Sequence, residues 1–299
     1  VFCNQDRIAG VYDEVTAEDV RERIDSYLDT MNTKNSTIEV SFFGGTFTAI
    51  PVIKQKELLA VAREYKNKGL IHKIRLSTRP DAINGYILSY LKEFKVDIIE
   101  LGVQSLDDNV LRLAGRGHSA YDVENASRLI KAEGFTLGHQ IMPGLPGDTK
   151  EIDLATIKKS IEMKPDIARI YPALVIKDTP METMYNRGEY EPYSLDMAVE
   201  VSREMLKLYN AAKVKVIRIG LQPTDTIAEG KDVVAGPFHP AFRELVEGSL
   251  ICENIKEKTN ESSDIIIEIN SKDISKLYCN KKQYFNEFKK NRHGKVVVK

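Results

Sequence analysis

Cysteine is scarce in this chain. Among 299 residues there are only Cys3, Cys252 and Cys279, an odd number and far apart in sequence. A disulfide framework needs paired cysteines, so this usage argues against a secreted, disulfide-stapled protein and predicts a cytoplasmic one. Cys252 and Cys279 have no cysteine or histidine at metal-binding spacing. We expect these two cysteines to be structural.

The chain also lacks long apolar runs and an excess of charge of either sign. Its most apolar stretches, such as 96–103, are too short and too often interrupted by charge to span a bilayer. No secretory signal is visible in the printed residues. The formal net charge of −1 excludes a global basic field of the kind that attracts nucleic acid. The 42% of hydrophobic residues supports a sizeable core, in one large domain with or without an appendage.

Helical and strand patterns alternate along residues 17–219. Six apolar strand segments, starting near Ile38, Ile74, Ile98, Thr136, Ile167 and Lys215, are separated by segments of helical spacing. Such alternation is typical of an α/β protein with a parallel sheet and helices outside. With one more strand expected before residue 1, it favours a full or partial (β/α) barrel of TIM type over an open doubly wound sheet. One helix is expected to have Asp148 as its N-cap, with Glu151 three residues on.

The alternation ends near residue 220. Residues 221–240 are rich in Gly, Pro, Asp and Thr and are predicted to form a loop. A helix near 242–256, a strand at 265–269 and a lysine-rich end follow, and the residues 296–298 are expected to begin another strand. We predict a core domain of residues 1–220, truncated at its N-terminus, and a C-terminal α+β extension of residues 221–299.

Polar and glycine residues follow most of the predicted strands. The segments are Gly44-Gly45-Thr46, Thr78-Arg79-Pro80, Gln104-Ser105, residues 140–144 and Tyr171-Pro172. In (β/α) barrels the working residues lie at the C-terminal ends of strands and in the loops that follow. A metal-dependent hydrolase would need histidine and carboxylate clusters at these positions, and the sequence offers none. The pattern therefore indicates a functional site of another kind at this end of the sheet.

These motifs, in this order, resemble those of radical S-adenosylmethionine (SAM) enzymes, and within that family the radical domain of the elongator complex catalytic subunit. The resemblance covers nearly all of residues 1–220. It is carried by residues 44–48 (Gly-Gly-Thr-Phe-Thr), 77–81, 100–105, 116–118, 139–147 and 170–179. Many family members have Glu where Thr46 stands, which favours the elongator branch.

The resemblance implies two cofactors, a [4Fe–4S] cluster and S-adenosyl-L-methionine. Family members bind the cluster through cysteines spaced Cys-x3-Cys-x2-Cys, and Cys3 matches the third, so the first two are expected before Val1. Thiolates suit iron, and a guanidinium suits the carboxylate of SAM. The cofactor-binding positions implied by the resemblance are Gly44, Gly45 and Thr46 for the amino group, Arg79, Gln104 and Arg116 for the pocket, and Gln140 and Tyr171 for the adenosyl end.

Each of these residues also has an ordinary structural explanation. A lone cysteine near a terminus is more often a plain thiol, which applies to Cys3 taken by itself. Gly44 and Gly45 can form a tight strand exit. Arg79 can be a surface residue of a loop, and Tyr171 can belong to the core.

The five histidines carry less information. His118 and His139 are candidates for proton transfer, although each is more often a hydrogen-bonded structural histidine. His72 and His293 lie in lysine-bearing stretches and are expected to be solvated. His239 lies in a loop that can close over a substrate. We assign no catalytic residue from these positions.

The resemblance predicts an enzyme that cleaves SAM reductively to a 5′-deoxyadenosyl radical and abstracts hydrogen, with a tRNA base as candidate substrate. Seven Lys or Arg against one Glu in residues 280–299 offer a phosphate-binding patch, although lysine clusters are more often merely solvated. A flavodoxin- or ferredoxin-like reductant is the expected partner, and no association with a membrane is expected. The elongator subunit carries an acetyltransferase domain after its radical domain, for which this chain leaves no room. It therefore resembles shorter bacterial relatives, and acetylation is not transferred to it.

Two alternatives stay open. One is a porphyrinogen-oxidase-like radical enzyme with a small-molecule substrate, against which the elongator-type segment 171–179 argues. The other is a cluster-free barrel that acts as a binding module. The residues encoded before Val1 distinguish a radical SAM enzyme from the binding module. Cysteines at the family spacing support the enzyme, and their absence favours the module. The oligomeric state is not predicted.

Overall fold

The structure is a computed structural model that describes residues 15–30, 36–221, 227–228, 230–290 and 292–299. The strands are β1 (Glu39–Phe42), β2 (Lys73–Thr78), β3 (Ile98–Gln104), β4 (Thr136–Ile141), β5 (Ile167–Ile170), β6 (Val175–Ile176), β7 (Lys215–Ile219), β8 (Val233–Ala235), β9 (Ile265–Ile267) and β10 (Val296–Val298). Six of them form one parallel sheet in the order β1-β2-β3-β4-β5-β7. Because neighbours in this sheet follow one another in sequence, the connections run over one face, as in a (β/α) barrel. The predicted partial barrel of parallel strands is confirmed.

Eleven α-helices are described along the chain. They are α1 (Ala17–Thr30), α2 (Val52–Asn67), α3 (Gly85–Glu93), α4 (Asp108–Leu113), α5 (Ala120–Ala132), α6 (Lys150–Glu162), α7 (Pro180–Asn186), α8 (Leu195–Ala211), α9 (Phe242–Lys258), α10 (Ile274–Leu277) and α11 (Cys279–Lys290). Short 3₁₀ turns at Phe47–Ala49 and Pro80–Ala82 follow β1 and β2. None of the helices in the described part of the chain has the length and apolar character needed to cross a membrane.

The core lies between the sheet and the helices that cover its outer face. Side chains alternate along β2 and β3, so Ile74, Leu76 and Ile99 face the helices and are fully buried. Leu59 of α2 and Ile130 of α5 are buried in the same cluster. Each such side chain contributes about 1.5–3 kcal/mol when it is removed from water. The other face of the sheet is left for the polar side chains of the same strands.

The helix predicted near residues 150–162 is present as α6, whereas its predicted N-cap is wrong. The N-cap of α6 is Thr149, whose hydroxyl accepts a hydrogen bond from the Ile152 amide at 3.3 Å. Asp148 lies beside Asp153 of α6, and its Oδ1 accepts from the Thr149 amide at 3.1 Å. Tyr193 Oη donates to Asp153 Oδ2 at 2.9 Å. Burial raises the pKa of Asp148 to about 6 and also raises that of Asp153. The carboxyl pair therefore takes Asp148 away from the position that the sequence pattern suggested.

Residues after β7 add two further units to the partial barrel of β1–β5 and β7, which we call the half-barrel. β8 pairs with β6 in an antiparallel ribbon, so the predicted loop 221–240 contains a strand. α9 packs on α8 and contributes Phe242 to the main core. Cys252, Phe285 and Phe288 belong to a second, smaller core together with residues of β9 and β10, which pair in parallel. The boundary at residue 220 between core and extension stays a prediction.

The described cysteines are buried in this C-terminal part. Burial raises the pKa of the Cys252 thiol to about 12, with Cys279 nearby adding to the effect. Burial also raises the pKa of the Cys279 thiol. Both are free thiols. Buried thiols that resist deprotonation are unreactive, in agreement with the structural role expected for them.

Candidate active site

A buried network of charges crosses the inner face of the sheet. Its centre is Glu100 of β3, whose side chain is 1% exposed. Arg75 Nη1 of β2 donates to Glu100 at 2.7 Å, and Arg169 of β5 donates through Nε at 2.5 Å and Nη2 at 3.0 Å. Arg75 Nη2 also donates to Glu39 of β1 at 2.6 Å. Buried charges persist only when they are paired, so these four side chains depend on one another.

The network also reaches two of the predicted cofactor-binding residues. Gln140 Nε2 lies 3.4 Å from Glu100 Oε2, and Arg169 Nη1 donates to Tyr171 Oη at 3.1 Å. The Arg169 guanidinium lies over the ring of Phe43, 5.2 Å from its centroid. Because Phe43 directly precedes the glycine pair, the ends of β1 and β5 are tied together across the sheet.

The glycine pair after β1 requires glycine at both positions. Gly44 has φ of 103° and Gly45 has φ of 152°, values that residues with a side chain rarely adopt. Thr46 then starts the first 3₁₀ turn, and its carbonyl accepts from the Ala49 amide at 2.9 Å. All three residues line one end of a groove of about 1360 Å³ that runs along β1. The backbone of this segment is therefore open to a ligand.

Gln104 and Arg116 meet beside Gly102, and Arg79 lies beside Gly117. Arg116 Nη2 donates to the Gly102 carbonyl at 3.0 Å. A Cβ atom on Gly102 would stand 3.0 Å from Gln104 Nε2 and 3.3 Å from Arg116 Nη2. A Cβ atom on Gly117 would stand 2.8 Å from Arg79 Nη2. The missing side chains make room for three donor groups at adjacent strand ends, and this donor set fits a ligand with a carboxylate and hydroxyl groups.

The structure thus arranges the predicted site residues in three groups. Gln104 and Arg116 converge beside Gly102, while Arg79 lies beside Gly117, the residue after Arg116. Gln140 and Tyr171 are joined through the Glu100 network, and Gly44-Gly45-Thr46 adjoins that network through the ring of Phe43. Arg79 is also bound to a carboxylate, because its Nε donates to Asp81 Oδ1 at 2.9 Å.

The expected cluster ligand, Cys3, lies outside the described residues. Within residues that are described, no group of three or more His, Cys, Asp or Glu side chains could hold a metal ion. The structure therefore gives the positions of the residues predicted to bind SAM, while their role and the cluster ligand stay predictions.

His139 has a structural environment. It lies on the helix side of β4, where Nε2 meets Ser127 Oγ at 3.0 Å and Nδ1 meets Ser160 Oγ at 2.8 Å. Complete burial lowers its pKa to about 3, so it stays neutral at neutral pH. Its two serine partners satisfy both ring nitrogens, and it is separated from the inner face by the sheet itself.

The remaining histidines differ in exposure. His118 is buried next to Arg116, and its Nε2 contacts the Val103 carbonyl at 3.1 Å. His72 and His293 are exposed, as expected. His239 is half-buried, and its Nδ1 accepts from the Ala241 amide at 3.1 Å. Among the described residues, only His118 combines burial with closeness to the predicted SAM-binding side chains.

Sequence analysis missed the partners in the Glu100 network. The signal was present, because a carboxylate inside the fully buried strand Ile98–Gln104 must have a cationic partner. Arg75 and Arg169 likewise stand inside apolar strands. Strand periodicity places such residues on one face, although it does not say which of them meet.

Comparisons with known proteins agree with this geometry. A model of the Radical SAM superfamily matches residues 1–158, and a model of the Radical_SAM C-terminal domain matches residues 165–251. The chain is 33% identical over 201 residues to the tRNA uridine(34) acetyltransferase of Methanocaldococcus infernus, covering 60% of this chain and 38% of that protein. It is 27% identical over 226 residues to human Elongator complex protein 3, covering 66% of this chain and 41% of that protein. The matched part thus spans about two fifths of these two relatives.

Solved structures share the same architecture. The archaeal Methanocaldococcus infernus Elp3 with an N-terminal deletion superposes with a TM-score of 0.65 at 26% identity, over 81% of this chain and 59% of that chain. Coproporphyrinogen III oxidase from Escherichia coli, at 17% identity and a TM-score of 0.51, covers 71% of this chain and 49% of its own, and shares the fold. Since the superfamily model covers more than half of the chain, this protein belongs to the Radical SAM superfamily and is a homologue of the radical domains of Elp3 and of the archaeal tRNA uridine(34) acetyltransferases.

Proposed function

We propose that this chain forms a radical SAM catalytic core that holds a [4Fe–4S] cluster through Cys3 and two preceding cysteines, and binds SAM at the strand ends. The observation that carries the proposal is the convergence of Gln104 and Arg116 on the space beside Gly102. When bound, the cluster supplies the electron that cleaves SAM to a 5′-deoxyadenosyl radical for hydrogen abstraction. A flavodoxin- or ferredoxin-like protein is the expected reductant.

The residues of this chain would bind and orient SAM. The Arg116 guanidinium supplies paired donors for the carboxylate, and the Gln104 amide supplies a donor and an acceptor for a ribose hydroxyl. The backbone of Gly44 and Gly45 offers carbonyl oxygens to the amino group. Tyr171, held by Arg169, lies at the neighbouring strand end and would face the adenosyl group. A site of this kind contributes orientation, while the cofactors contribute the reaction.

The first experiment uses the full-length protein, reconstituted anaerobically with iron and sulfide and then reduced. We expect an electron paramagnetic resonance signal of a [4Fe–4S] cluster that shifts when SAM is added, and release of 5′-deoxyadenosine. Arg116→Ala should weaken SAM binding by about tenfold or more, which corresponds to about 1.4 kcal/mol, because a charge-assisted pair is lost. The matched control is Arg128→Ala, an exposed arginine of α5 that should bind SAM as the unaltered protein does.

Each outcome of that experiment decides between the hypotheses. Absence of a cluster, in protein that contains all three family cysteines, would favour the cluster-free binding module. A cluster whose signal ignores SAM, or equal SAM affinity in both arginine variants, would contradict the placement of the site at Gln104 and Arg116.

We further propose that the substrate is a tRNA. The proposal draws on the relatives named as tRNA uridine(34) acetyltransferases and on a set of exposed lysines in the C-terminal part. These are Lys281, Lys282, Lys289 and Lys290 of α11. Lys281 and Lys282 lie at a kink near the start of this segment, and Lys289 and Lys290 lie at its end. Exposed lysines can neutralise phosphates, and binding then weakens with salt.

Replacement of the four α11 lysines by glutamine tests the tRNA proposal and keeps the buried Phe285 and Phe288 of the same segment. Lys289 contacts this core, with its Nζ 5.7 Å from the Phe285 ring centroid. We expect weaker tRNA binding and a salt dependence whose logarithmic slope falls by about 0.7–0.9 for each lost phosphate contact. The control carries the same number of Lys→Gln changes at exposed positions of the half-barrel, which are Lys68, Lys92, Lys158 and Lys213. Equal binding and an equal slope in both variants would show that the α11 lysines are merely solvated.

A further inference from the structure

The backbone at the end of β3 adopts a conformation that is unfavourable for its residue. Gln104 has φ of 65°, in the left-handed region, although it is not glycine and is buried. The Val103 carbonyl accepts from the Ser105 amide at 2.9 Å, which closes a tight three-residue turn around Gln104. The pairing of β3 with β4 also shifts register between Leu101 and Gln104. Strain of this kind persists only where surrounding contacts impose it.

His118 supplies one such contact. Its Nε2 lies 3.1 Å from the same Val103 carbonyl, and the side chain is only 5% exposed. A carbonyl oxygen can only accept, so Nε2 carries the proton and donates it. Burial, with the neighbouring Arg116, lowers the pKa of His118, which favours the neutral ring at neutral pH. The Val103 oxygen therefore receives one hydrogen bond from inside the turn and one from a separate loop.

The loop that carries His118 also carries Arg116. Arg116 Nη2 donates to the Gly102 carbonyl at 3.0 Å, next to Gln104 Nε2. One three-residue segment, Arg116-Gly117-His118, thus binds the carbonyls of two consecutive peptide units, those of Gly102 and Val103. The same two contacts, from Arg116 and His118, therefore hold the strained turn and the two donors of the proposed SAM pocket, Gln104 and Arg116.

We propose that His118 is a positioning residue for SAM binding. By donating to the Val103 carbonyl it holds the turn at Gln104, so that the Gln104 amide and the Arg116 guanidinium are presented to the same ligand. His118 itself neither contacts the ligand nor transfers a proton in this role. The inference rests on the proposed function, because it assigns a cause to the geometry of that same site.

A double-mutant cycle in the full-length protein tests the proposal, with SAM as the probe in equilibrium dialysis. His118→Phe removes the donor and should weaken SAM binding about tenfold, as should Gln104→Ala. The double variant should lose less affinity than the two single losses added together, because His118 acts in part through Gln104. His118→Gln, which keeps a donor, should retain most of the affinity. Additive losses, or unchanged affinity in His118→Phe, would overturn the proposal.

A second measurement needs no ligand. Glycine adopts the left-handed conformation without strain, so the turn in Gln104→Gly should need no support from His118. His118→Phe should then lower the melting temperature of the Gln104→Gly protein less than it lowers that of the unaltered protein. If His118→Phe alone fails to fold, the double variant should still fold. An equal loss in both backgrounds would overturn the proposal. Failure of the unaltered protein to bind SAM would instead contradict the proposed function, so the two failures are distinguishable.

Discussion

Glu100 is the residue on which most of the buried charge depends. It is the only described carboxylate that binds both Arg75 and Arg169, and its side chain is 1% exposed. We expect Glu100→Gln to lower the free energy of unfolding by about 3–5 kcal/mol, because two buried guanidinium groups lose their shared counter-charge. Urea unfolding measures the change.

An exposed ion pair provides the control for that prediction. Glu133 binds Lys92 at 3.0 Å, and both side chains are about half exposed. Glu133→Gln should lower stability by less than about 1 kcal/mol, since water screens the pair. Similar losses in the two variants would mean that the Glu100 network contributes no more than a surface contact.

Residue types in the site were predictable, whereas their partners were not. Gly44, Gln104 and Arg116 stand in motifs whose resemblance to the family implies them. The partners of Glu100 come from strands far away in sequence, since Arg169 lies 69 residues later, and their contact depends on strand register. The left-handed backbone of Gln104 was equally unpredictable, because it results from contacts with the loop of His118 and not from local preference.

At the scale of elements, the start of α6 offers a direct test of the corrected N-cap. Thr149→Ala should lower stability by about 1 kcal/mol, because the Ile152 amide loses its side-chain acceptor. Asp148→Asn should not lower stability at pH 8, because a neutral amide removes the repulsion between two neighbouring carboxylates. Chemical unfolding of both variants measures the difference. Equal losses would restore Asp148 as a cap.

The Asp148–Asp153 pair also makes the free energy of unfolding depend on pH, and the sign of this dependence follows from the raised pKa values. Because the pKa of Asp148 is raised to about 6 in the folded protein, the native state binds more protons than the unfolded chain between the ordinary Asp value and pH 6. The contribution of the pair to stability is therefore present at acidic pH and is lost as pH rises through about 6. Asp148→Asn should reduce this loss.

Long elements were predicted better than short ones. The six sheet strands and the helices between them follow from apolar periodicity, and these helices bury a full face on the sheet. β6 and β8 consist of two and three residues, too few to show a period, and they form because each supplies the other's hydrogen bonds. The turn of helix at α10 likewise depends on contact with α9.

On the scale of the whole molecule, two cores share the helix α9. Phe242 at its start belongs to the main core and Cys252 near its end to the smaller one, together with Phe285. We expect Phe285→Ala to cost about 3–5 kcal/mol locally, because it leaves a cavity in the smaller core. Hydrogen exchange should become faster in residues 265–299, while β2, β3 and β4 keep their protection.

Tyr86→Ala is the control for this substitution, because Tyr86 is an aromatic residue that is 61% exposed. It should leave exchange unchanged in both regions. If Phe285→Ala instead accelerates exchange throughout the central strands, the two cores unfold as one cooperative unit and the predicted boundary near residue 220 has no energetic meaning.

The strand order has a consequence for how the chain is made. In the described sheet, each strand from β2 onward pairs with the sheet strand before it in sequence, as Lys73 does with Glu39 and Lys215 with Ile167. Each of these pairings can therefore form as soon as the later strand is made. During synthesis, each new strand and helix can therefore dock on the unit already outside the ribosome. The half-barrel can grow from its N-terminal edge, one unit at a time, before the C-terminal core exists.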